Sequence, residues 1–265
     1  MKKDQFIIAC LDSAADAAAV LPYARHCAQR LHKGLLLLNV SKEGDNDWLK
    51  DFGLPYIGLK GDWKTAVDGL PTRLGGVLAI VAVDPAAPRR QLAHPTTLLA
   101  TFSDCKIAYL VVPAAHAALP TPHWPETAAL TLDHRRESKE KLIWSSYFPR
   151  FFDSRLQVLI PDYRDAGLRE KISNNIQFLK KIYKSLNIEY TLSSFHSSLS
   201  TTHSLDRQAL KHGGFDLLVA MTTDPRDRYL GDWLLGAPEC RLLAHAGGIP
   251  LLFLNQRDDL YVLCD

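Results

Sequence analysis

Short apolar runs that alternate with longer segments of helical periodicity constrain this 265-residue chain more than any other feature. Residues 6–11 and 35–40 have the length and continuity of buried strands, and residues 15–33 between them carry apolar side chains at helical spacing. Strands that alternate with helices form right-handed crossovers and a parallel sheet that is covered on both faces. The pattern therefore predicts an α/β fold.

The same alternation continues to the end of the chain and predicts five strands in each half. The other predicted strands are residues 56–59, 76–83, 107–112, 128–132, 156–160, 188–192, 215–221 and 249–254. The other predicted helices are residues 62–73, 89–103, 136–152, 166–187, 205–211 and 232–246.

Two pairs of segments match between the halves. Residues 75–85 match 213–225 with two residues inserted, and residues 105–113 match 247–255 position by position. Such internal similarity predicts a tandem duplication of one α/β unit.

A proline-rich stretch separates the two copies. Three prolines within six residues cannot lie inside regular structure, so residues 114–126 are predicted to be a linker. The predicted domains are residues 1–113 and 127–265.

Charge and cysteine content exclude several classes of protein. The 31 lysines and arginines against 29 aspartates and glutamates give a net charge of +2, too balanced for a dedicated binder of nucleic acid or anionic membrane. The five cysteines lie far apart without a CxxC pair, which favours free or buried thiols over disulfides or a zinc site. No run reaches the ~18 apolar residues of a membrane span. We expect a cytoplasmic protein.

A family resemblance rests mainly on residues 235–254, which read Leu-Gly-Ala-Pro-Glu-Cys-Arg-Leu-Leu-Ala-His-Ala-Gly-Gly-Ile-Pro-Leu-Leu-Phe-Leu. The glycine, the apolar helix ending in His-Ala, the small turn, the proline and the final strand resemble the end of a universal stress protein domain. Asp12 and Asp133 match the aspartate that follows the family's first strand. With the order of elements, the whole chain resembles the tandem form of this family.

The resemblance implies two tandem, doubly wound five-stranded parallel sheets of strand order 3-2-1-4-5, the adenine-nucleotide alpha-hydrolase-like fold. It also implies that the last strands of the two domains meet in an intramolecular pseudo-dimer. Ligands in such sheets bind at the carboxyl ends of the strands, at the switch point between strands one and four. In ATP-binding members, adenine lies near the first-strand aspartate and the phosphates lie on a glycine-rich loop after strand four. The implied cofactor-binding residues are Asp12, Val40, Asp133, Thr222, Thr223, Arg226 and Gly236.

The phosphate loop departs from the family pattern. When its last glycine is placed at Gly236, the first two glycines fall on Thr223 and Arg226, and Ala237 replaces the hydroxyl residue that follows. Glycine lets a phosphate approach the backbone closely, whereas Arg226 places a large side chain there. An anion in another geometry could still be bound by hydroxyl and guanidinium groups, those of Thr222, Thr223, Arg226 and Arg228. Asp12 and Asp133 are equally compatible with helix caps.

Other patterns give no catalytic set. Residues 231–236 have the glycine spacing of a P-loop but lack its Lys-Ser/Thr pair. His26 and His32 are six residues apart on a helix, unlike a metal-binding pair at four-residue spacing. His196 lies among serines without an orienting partner. The aromatic residues of 144–152 are expected to pack in the core or between the domains.

The sequence thus predicts a non-catalytic stress-response protein that binds a ligand or a protein partner without ordinary ATP binding. The alternative is an ATP or AMP sensor that uses the second-domain crevice and hydrolyses ATP weakly at most. We expect no metal, nucleic acid or membrane among its partners, and a homodimer remains open. An unrelated α/β enzyme is disfavoured because no nucleophile, base or metal set converges.

Overall fold

The computed structural model describes residues 5–44, 46–119, 124–135, 138–196, 202–222, 238–246 and 248–255. Its strands are β1 (Phe6–Cys10), β2 (Gly34–Ser41), β3 (Tyr56–Lys60), β4 (Gly76–Val83), β5 (Ala108–Pro113), β6 (Thr127–Thr131), β7 (Arg155–Asp162), β8 (Thr191–His196), β9 (Leu217–Met221) and β10 (Leu251–Leu254). Its α-helices are α1 (Ala14–Leu31), α2 (Trp63–Asp68), α3 (Leu70–Arg73), α4 (Pro95–Thr101), α5 (Ser138–Ser145), α6 (Tyr147–Phe151), α7 (Ala166–Ser185), α8 (Thr202–His212) and α9 (Pro238–His245). Two 3₁₀ segments are Asp47–Phe52 and Ala114–Ala118.

The strands form one sheet of order β3-β2-β1-β4-β5-β10-β9-β6-β7-β8. Within each half the order is the expected 3-2-1-4-5 and all pairings are parallel. The two five-stranded sheets meet at their last strands, as expected, because β5 pairs with β10 in the antiparallel sense and makes the sheet continuous over ten strands. An unpaired last strand would expose a row of backbone donors and acceptors, and this pairing satisfies both rows at once.

The register of the β5–β10 junction is symmetric. The paired residues are Tyr109 with Phe253, Leu110 with Leu252, and Val111 with Leu251. In the match of residues 105–113 with 247–255, Leu110 is equivalent to Leu252, Tyr109 to Leu251 and Val111 to Phe253. The equivalence therefore turns the pair Tyr109–Phe253 into the pair Leu251–Val111, which is also present. This is the register that a twofold axis through the junction produces.

Apolar side chains cover both faces of the sheet. Along β1, Ile7 and Ala9 belong to one buried layer, and Ile8 and Cys10 belong to the other. Successive side chains of a strand point to opposite faces, so a strand buried on both faces must be apolar throughout. This explains the continuous apolar runs from which the strands were predicted.

Two predicted helices begin or break at prolines. The helix predicted at 89–103 begins only at Pro95, the residue after its N-cap His94. The helix predicted at 136–152 divides at Ser146 into α5 and α6. Proline has no N–H to donate and its ring clashes with the carbonyl four residues earlier, so Pro149 disfavours a continuous helix through Ser145. Proline at the first helical turn costs nothing, as at Pro95.

Aromatic side chains from both halves pack beside the junction. The Trp124 ring stacks on His26 of α1 at 4.8 Å between centroids and on Phe152 at 4.3 Å. Its indole nitrogen donates to the Ser154 hydroxyl at 3.1 Å. The expectation that the aromatic residues of 144–152 lie in the core or between the halves is therefore confirmed.

We expect Trp124→Ala to lower the free energy of unfolding by ~3 kcal/mol, because it removes a large aromatic side chain that both halves contact. Urea denaturation at neutral pH measures this. Tyr56→Ala is the control, since Tyr56 is 38% exposed on the edge strand β3. Equal stability of the two variants would show that the Trp124 stack does not hold the halves together.

Candidate functional site

The two switch points lie where the strand order reverses within each half. In the first half β1 pairs with both β2 and β4, and in the second half β6 pairs with both β7 and β9. A crevice opens at the carboxyl ends of such strand pairs, where α/β proteins bind ligands. Asp12 follows β1 and Asp133 follows β6, so each aspartate lies at a switch point.

The Asp12 carboxylate holds two other parts of its own chain. Its Oδ1 accepts a hydrogen bond from the indole nitrogen of Trp63 at 3.0 Å. Its Oδ2 accepts one from the backbone N–H of Leu92 at 3.1 Å. Trp63 begins α2, and Leu92 lies in the connection between β4 and α4. Asp12 therefore ties together the segments that form the walls of the first crevice.

Asp12 is not the cap of the helix that follows it. Ser13 is the N-cap of α1, and the Asp16 carboxylate accepts from the backbone N–H groups of Ser13 at 2.8 Å and Asp12 at 3.1 Å. An acidic residue in this position satisfies free N–H groups of the first turn. The Asp12 side chain is thus left to bind Trp63 and Leu92.

Asp133 is fully buried and surrounded by donors. Its Oδ1 accepts from the Arg135 backbone N–H at 2.9 Å and from the Ser138 hydroxyl. Its Oδ2 lies 3.3 Å from Arg135 Nε and 4.0 Å from Lys141 Nζ. A buried charge is tolerated only when it is paired and hydrogen-bonded, as it is here.

Lys141 links Asp133 to a second buried carboxylate. Its side chain has no exposed surface, and its Nζ donates to the Thr131 hydroxyl at 3.1 Å. Thr131 in turn donates to Asp206 Oδ1 at 2.5 Å. We call Thr131, Asp133, Arg135, Ser138, Lys141 and Asp206 the buried polar network. Its two carboxylates are balanced in charge by one lysine and one arginine.

This environment keeps Asp133 ionised. Burial by itself would raise the pKa of its carboxyl. The positive charges of Lys141 and Arg135 and the hydrogen bonds from Ser138 and the Arg135 backbone outweigh burial, and the pKa of Asp133 falls to about 2. Asn175 of α7 donates to the backbone carbonyls of Asp133 and Arg135, both at 2.8 Å, and so fixes the loop that carries the carboxylate.

Thr222 follows β9 and points its hydroxyl toward the junction. The hydroxyl donates to Asn255 Oδ1 at 2.6 Å. The Asn255 amide then donates to the carbonyls of Phe102 at 2.7 Å and Cys105 at 2.8 Å, at the end of α4 in the other half. We call this set of bonds the Asn255 seal. It couples a predicted cofactor residue to the packing of the two halves.

Of the other predicted site residues, the structure describes Val40 alone. Val40 is 5% exposed and packs in an apolar layer of the sheet. Thr223, Arg226 and Gly236 lie outside the described residues. Assignment of the seven residues to a nucleotide site stays a prediction.

Sequence reasoning missed four polar groups that shape these sites: Trp63, Lys141, Asp206 and Asn255. A lysine or aspartate within a helical pattern normally indicates a solvent-exposed face, so nothing marked Lys141 or Asp206 as buried. Asn255 had a signal, because it ends an apolar strand at the position that Pro113 occupies in the first half.

Other chemistry is limited in the part of the chain that the structure describes. Of its cysteines, Cys10, Cys27 and Cys105 are buried and outside any disulfide, and Cys240 is half-buried. No group of three or more His, Cys, Asp or Glu side chains there is arranged to hold a metal ion. Among the described helices, none is both long and apolar enough to cross a bilayer.

We expect Lys141→Met to lower the free energy of unfolding by about 4 kcal/mol. The substitution leaves the buried Asp133 carboxylate without a main source of positive charge, and breaking one side of a buried ion pair is strongly destabilising. Urea denaturation measures the change. Lys180→Met removes an exposed lysine and should cost no more than ~0.5 kcal/mol. Similar stability of the two variants would contradict the structural role of Lys141.

Lowering the pH should reduce the free energy of unfolding, because acid protonates the Asp133 carboxylate. Its pKa is lowered in the folded protein from the usual 3.8 to about 2, so its stabilising contribution is complete above pH 4 and is lost as the pH falls toward 2. Over this range the wild type should lose ~2 kcal/mol more stability than Asp133→Asn, in which the group cannot titrate. Urea denaturation at a series of pH values measures both curves, and parallel curves would contradict the assignment.

No family model and no curated protein matches the sequence, but solved structures match the fold. A universal stress protein from Archaeoglobus fulgidus DSM 4304 has a TM-score of 0.64 at 10% identity, over 96% of this chain and 97% of that one. A functionally unknown protein from Pseudomonas aeruginosa PAO1 has a TM-score of 0.61 at 13% identity, over 98% and 95%. At these identities the likeness concerns the fold, and the chain has the fold of the universal stress proteins.

Proposed function

We propose that this protein is a non-catalytic stress-response protein that acts by binding a small ligand or a protein partner, without a nucleotide in either switch-point crevice. One observation carries the proposal: both switch-point carboxylates are occupied by groups of the same chain. Asp12 binds Trp63 and Leu92, and Asp133 binds Arg135 and Ser138 beside Lys141.

In the first crevice a nucleotide base would compete with Trp63. The indole is a fused bicyclic ring with an N–H donor, so it resembles a purine in shape and in hydrogen bonding. A base that reached Asp12 would have to displace this ring, which the chain holds in place, and would leave the indole N–H without its acceptor. The Trp63 indole is half-buried, so the loss of its hydrogen bond to Asp12 costs about 1 kcal/mol, which would be subtracted from the binding energy of any base.

In the second crevice a base would compete with charges. Asp133 is fully buried, and its partners include the buried Lys141. If a base displaced Asp133 from these partners, the buried Lys141 would lose the negative charge beside it. A buried charge without its partner is costly in a low-dielectric interior. The Thr222 hydroxyl is also engaged, by Asn255. These contacts favour a closed site over the alternative of a nucleotide sensor.

The fold supports the biological part of the proposal. The likeness to a universal stress protein over 96% of the chain supports a role in a stress response, which we place in the cytoplasm. The symmetric β5–β10 register supports an internal pseudo-dimer of two domains, residues 1–113 and 127–265 with a linker at 114–126.

Calorimetry and thermal unfolding with Mg-ATP, Mg-ADP and AMP test the proposal directly. We expect no binding heat and no change in the melting temperature at millimolar nucleotide. A bound nucleotide at 100 times its dissociation constant would stabilise the protein by about 2.7 kcal/mol, which is several degrees for a chain of this size. A saturable shift that Asp133→Asn abolishes would instead establish the nucleotide sensor.

A cavity variant provides the matched control. Trp63→Ala should open an indole-sized space beside Asp12, and the variant should bind free indole, which restores its stability. The wild type and Trp48→Ala, which removes another tryptophan of the first half, should not gain this affinity at the Asp12 crevice. Equal indole binding by all three proteins would contradict the view that Trp63 fills the crevice.

A further inference from the structure

An open groove lies on one side of the junction between the halves. It has a volume of about 570 Å³ and runs between the carboxyl ends of β4 and β5 and the last turn of α9. Its walls include Asp84, Pro113, Ala114, Leu243, Ala244 and Gly248. The volume falls within the range of small-molecule sites, which is roughly 300–1,000 Å³. The groove does not include Asp12, Asp133 or the buried polar network.

The symmetry of the junction explains why the groove is open. Asn255 is equivalent to Pro113 in the match of residues 105–113 with 247–255. On its own side, Asn255 donates two hydrogen bonds to carbonyls at the end of α4 and thereby closes the gap between the halves. Proline has neither a side-chain donor nor an N–H, so Pro113 cannot make the same bonds to the end of α9. Pro113 therefore makes no seal of this kind, and on this side the halves are linked instead by His116, whose Nε2 lies 2.7 Å from the carbonyl oxygen of Gly248 in the groove wall.

The groove favours positively charged hydrogen-bond donors. Its walls are mostly small apolar side chains, with Asp84 contributing a carboxylate. Ala244 belongs to the last turn of α9, and the carbonyls of a helix's last turn carry partial negative charge and lack helical donors. The Asn255 amide meets the equivalent carbonyls of α4 with N–H donors. A ligand with a compact apolar body and N–H donors would do the same in the groove.

We propose that this groove is a binding site for a small molecule that combines a compact apolar body with a cationic amidinium or ammonium group. The apolar body packs against the small side chains of the walls. The cationic group lies between Asp84 and the carbonyl end of α9. The site is separate from both crevices, so it does not depend on whether either crevice binds a nucleotide.

Three probes of one shape test the chemistry: benzamidine, benzamide and benzoate. Binding is measured on the full chain by calorimetry and by NMR shifts of the Ala114, Ala244 and Gly248 amides. We expect benzamidine to bind with a dissociation constant on the order of 1 mM, benzamide more weakly, and benzoate not at all. Asp84→Asn should remove the preference for benzamidine over benzamide, because it removes the carboxylate charge while it keeps a side-chain acceptor.

A variant that restores the symmetric residue tests the location. Pro113→Asn should place an amide in the groove as Asn255 does on the other side, and benzamidine binding should fall at least tenfold. Ala117→Asn introduces the same side chain outside the groove and should leave binding unchanged. Equal binding of all three probes, unchanged binding in Pro113→Asn, or shifts confined to other residues would overturn the proposal.

Discussion

The antiparallel pairing of β5 with β10 is the interaction on which the rest of this structure depends. It joins two five-stranded sheets of equal strand order into one sheet and places Leu110 opposite its equivalent, Leu252. Once the two edges are joined, the ends of α4 and α9 come to lie at the junction on either side of it. The Asn255 seal and the open groove follow from this placement, and the Trp124 stack joins α1 to Phe152 beside the same junction.

The two halves differ in what fills their equivalent positions. At the switch points, one half satisfies its aspartate with an indole and a backbone N–H, and the other surrounds its buried aspartate with the charges of Lys141 and Arg135. At the junction, Asn255 closes one side and Pro113 leaves the other open. In each case the backbone frame is shared, and single side chains decide whether a site is closed. The apolar layers on the two faces of the sheet, which form this shared frame, do not include the polar groups of these sites.

The spacing of apolar residues and the positions of proline and glycine in the sequence predicted much of this fold. Continuous apolar runs predicted the strands because both faces of the sheet are covered, and the match of residues 105–113 with 247–255 anticipated the equivalence of β5 and β10. The split of the helix at Ser146 was missed although Pro149 indicated it. The buried position of Lys141 could not be predicted, since a lysine is buried only when tertiary contacts complete its polar surroundings, and Asp206 joins the network through Thr131, which is 75 residues away in the chain. The same holds for the bond between Asp12 and Trp63, which are 51 residues apart.

The central claim is that the chain's own side chains occupy its switch-point crevices, and the Trp63 indole N–H reports on it most directly. Hydrogen exchange of the indole signals can be followed by NMR, with the Trp63 signal assigned by substitution, before and after addition of Mg-ATP. The account predicts that the Trp63 signal exchanges slowly, as a hydrogen-bonded donor does, and that ATP changes neither its position nor its rate. Exchange as fast as that of a solvent-exposed indole, or an acceleration on addition of ATP, would contradict it.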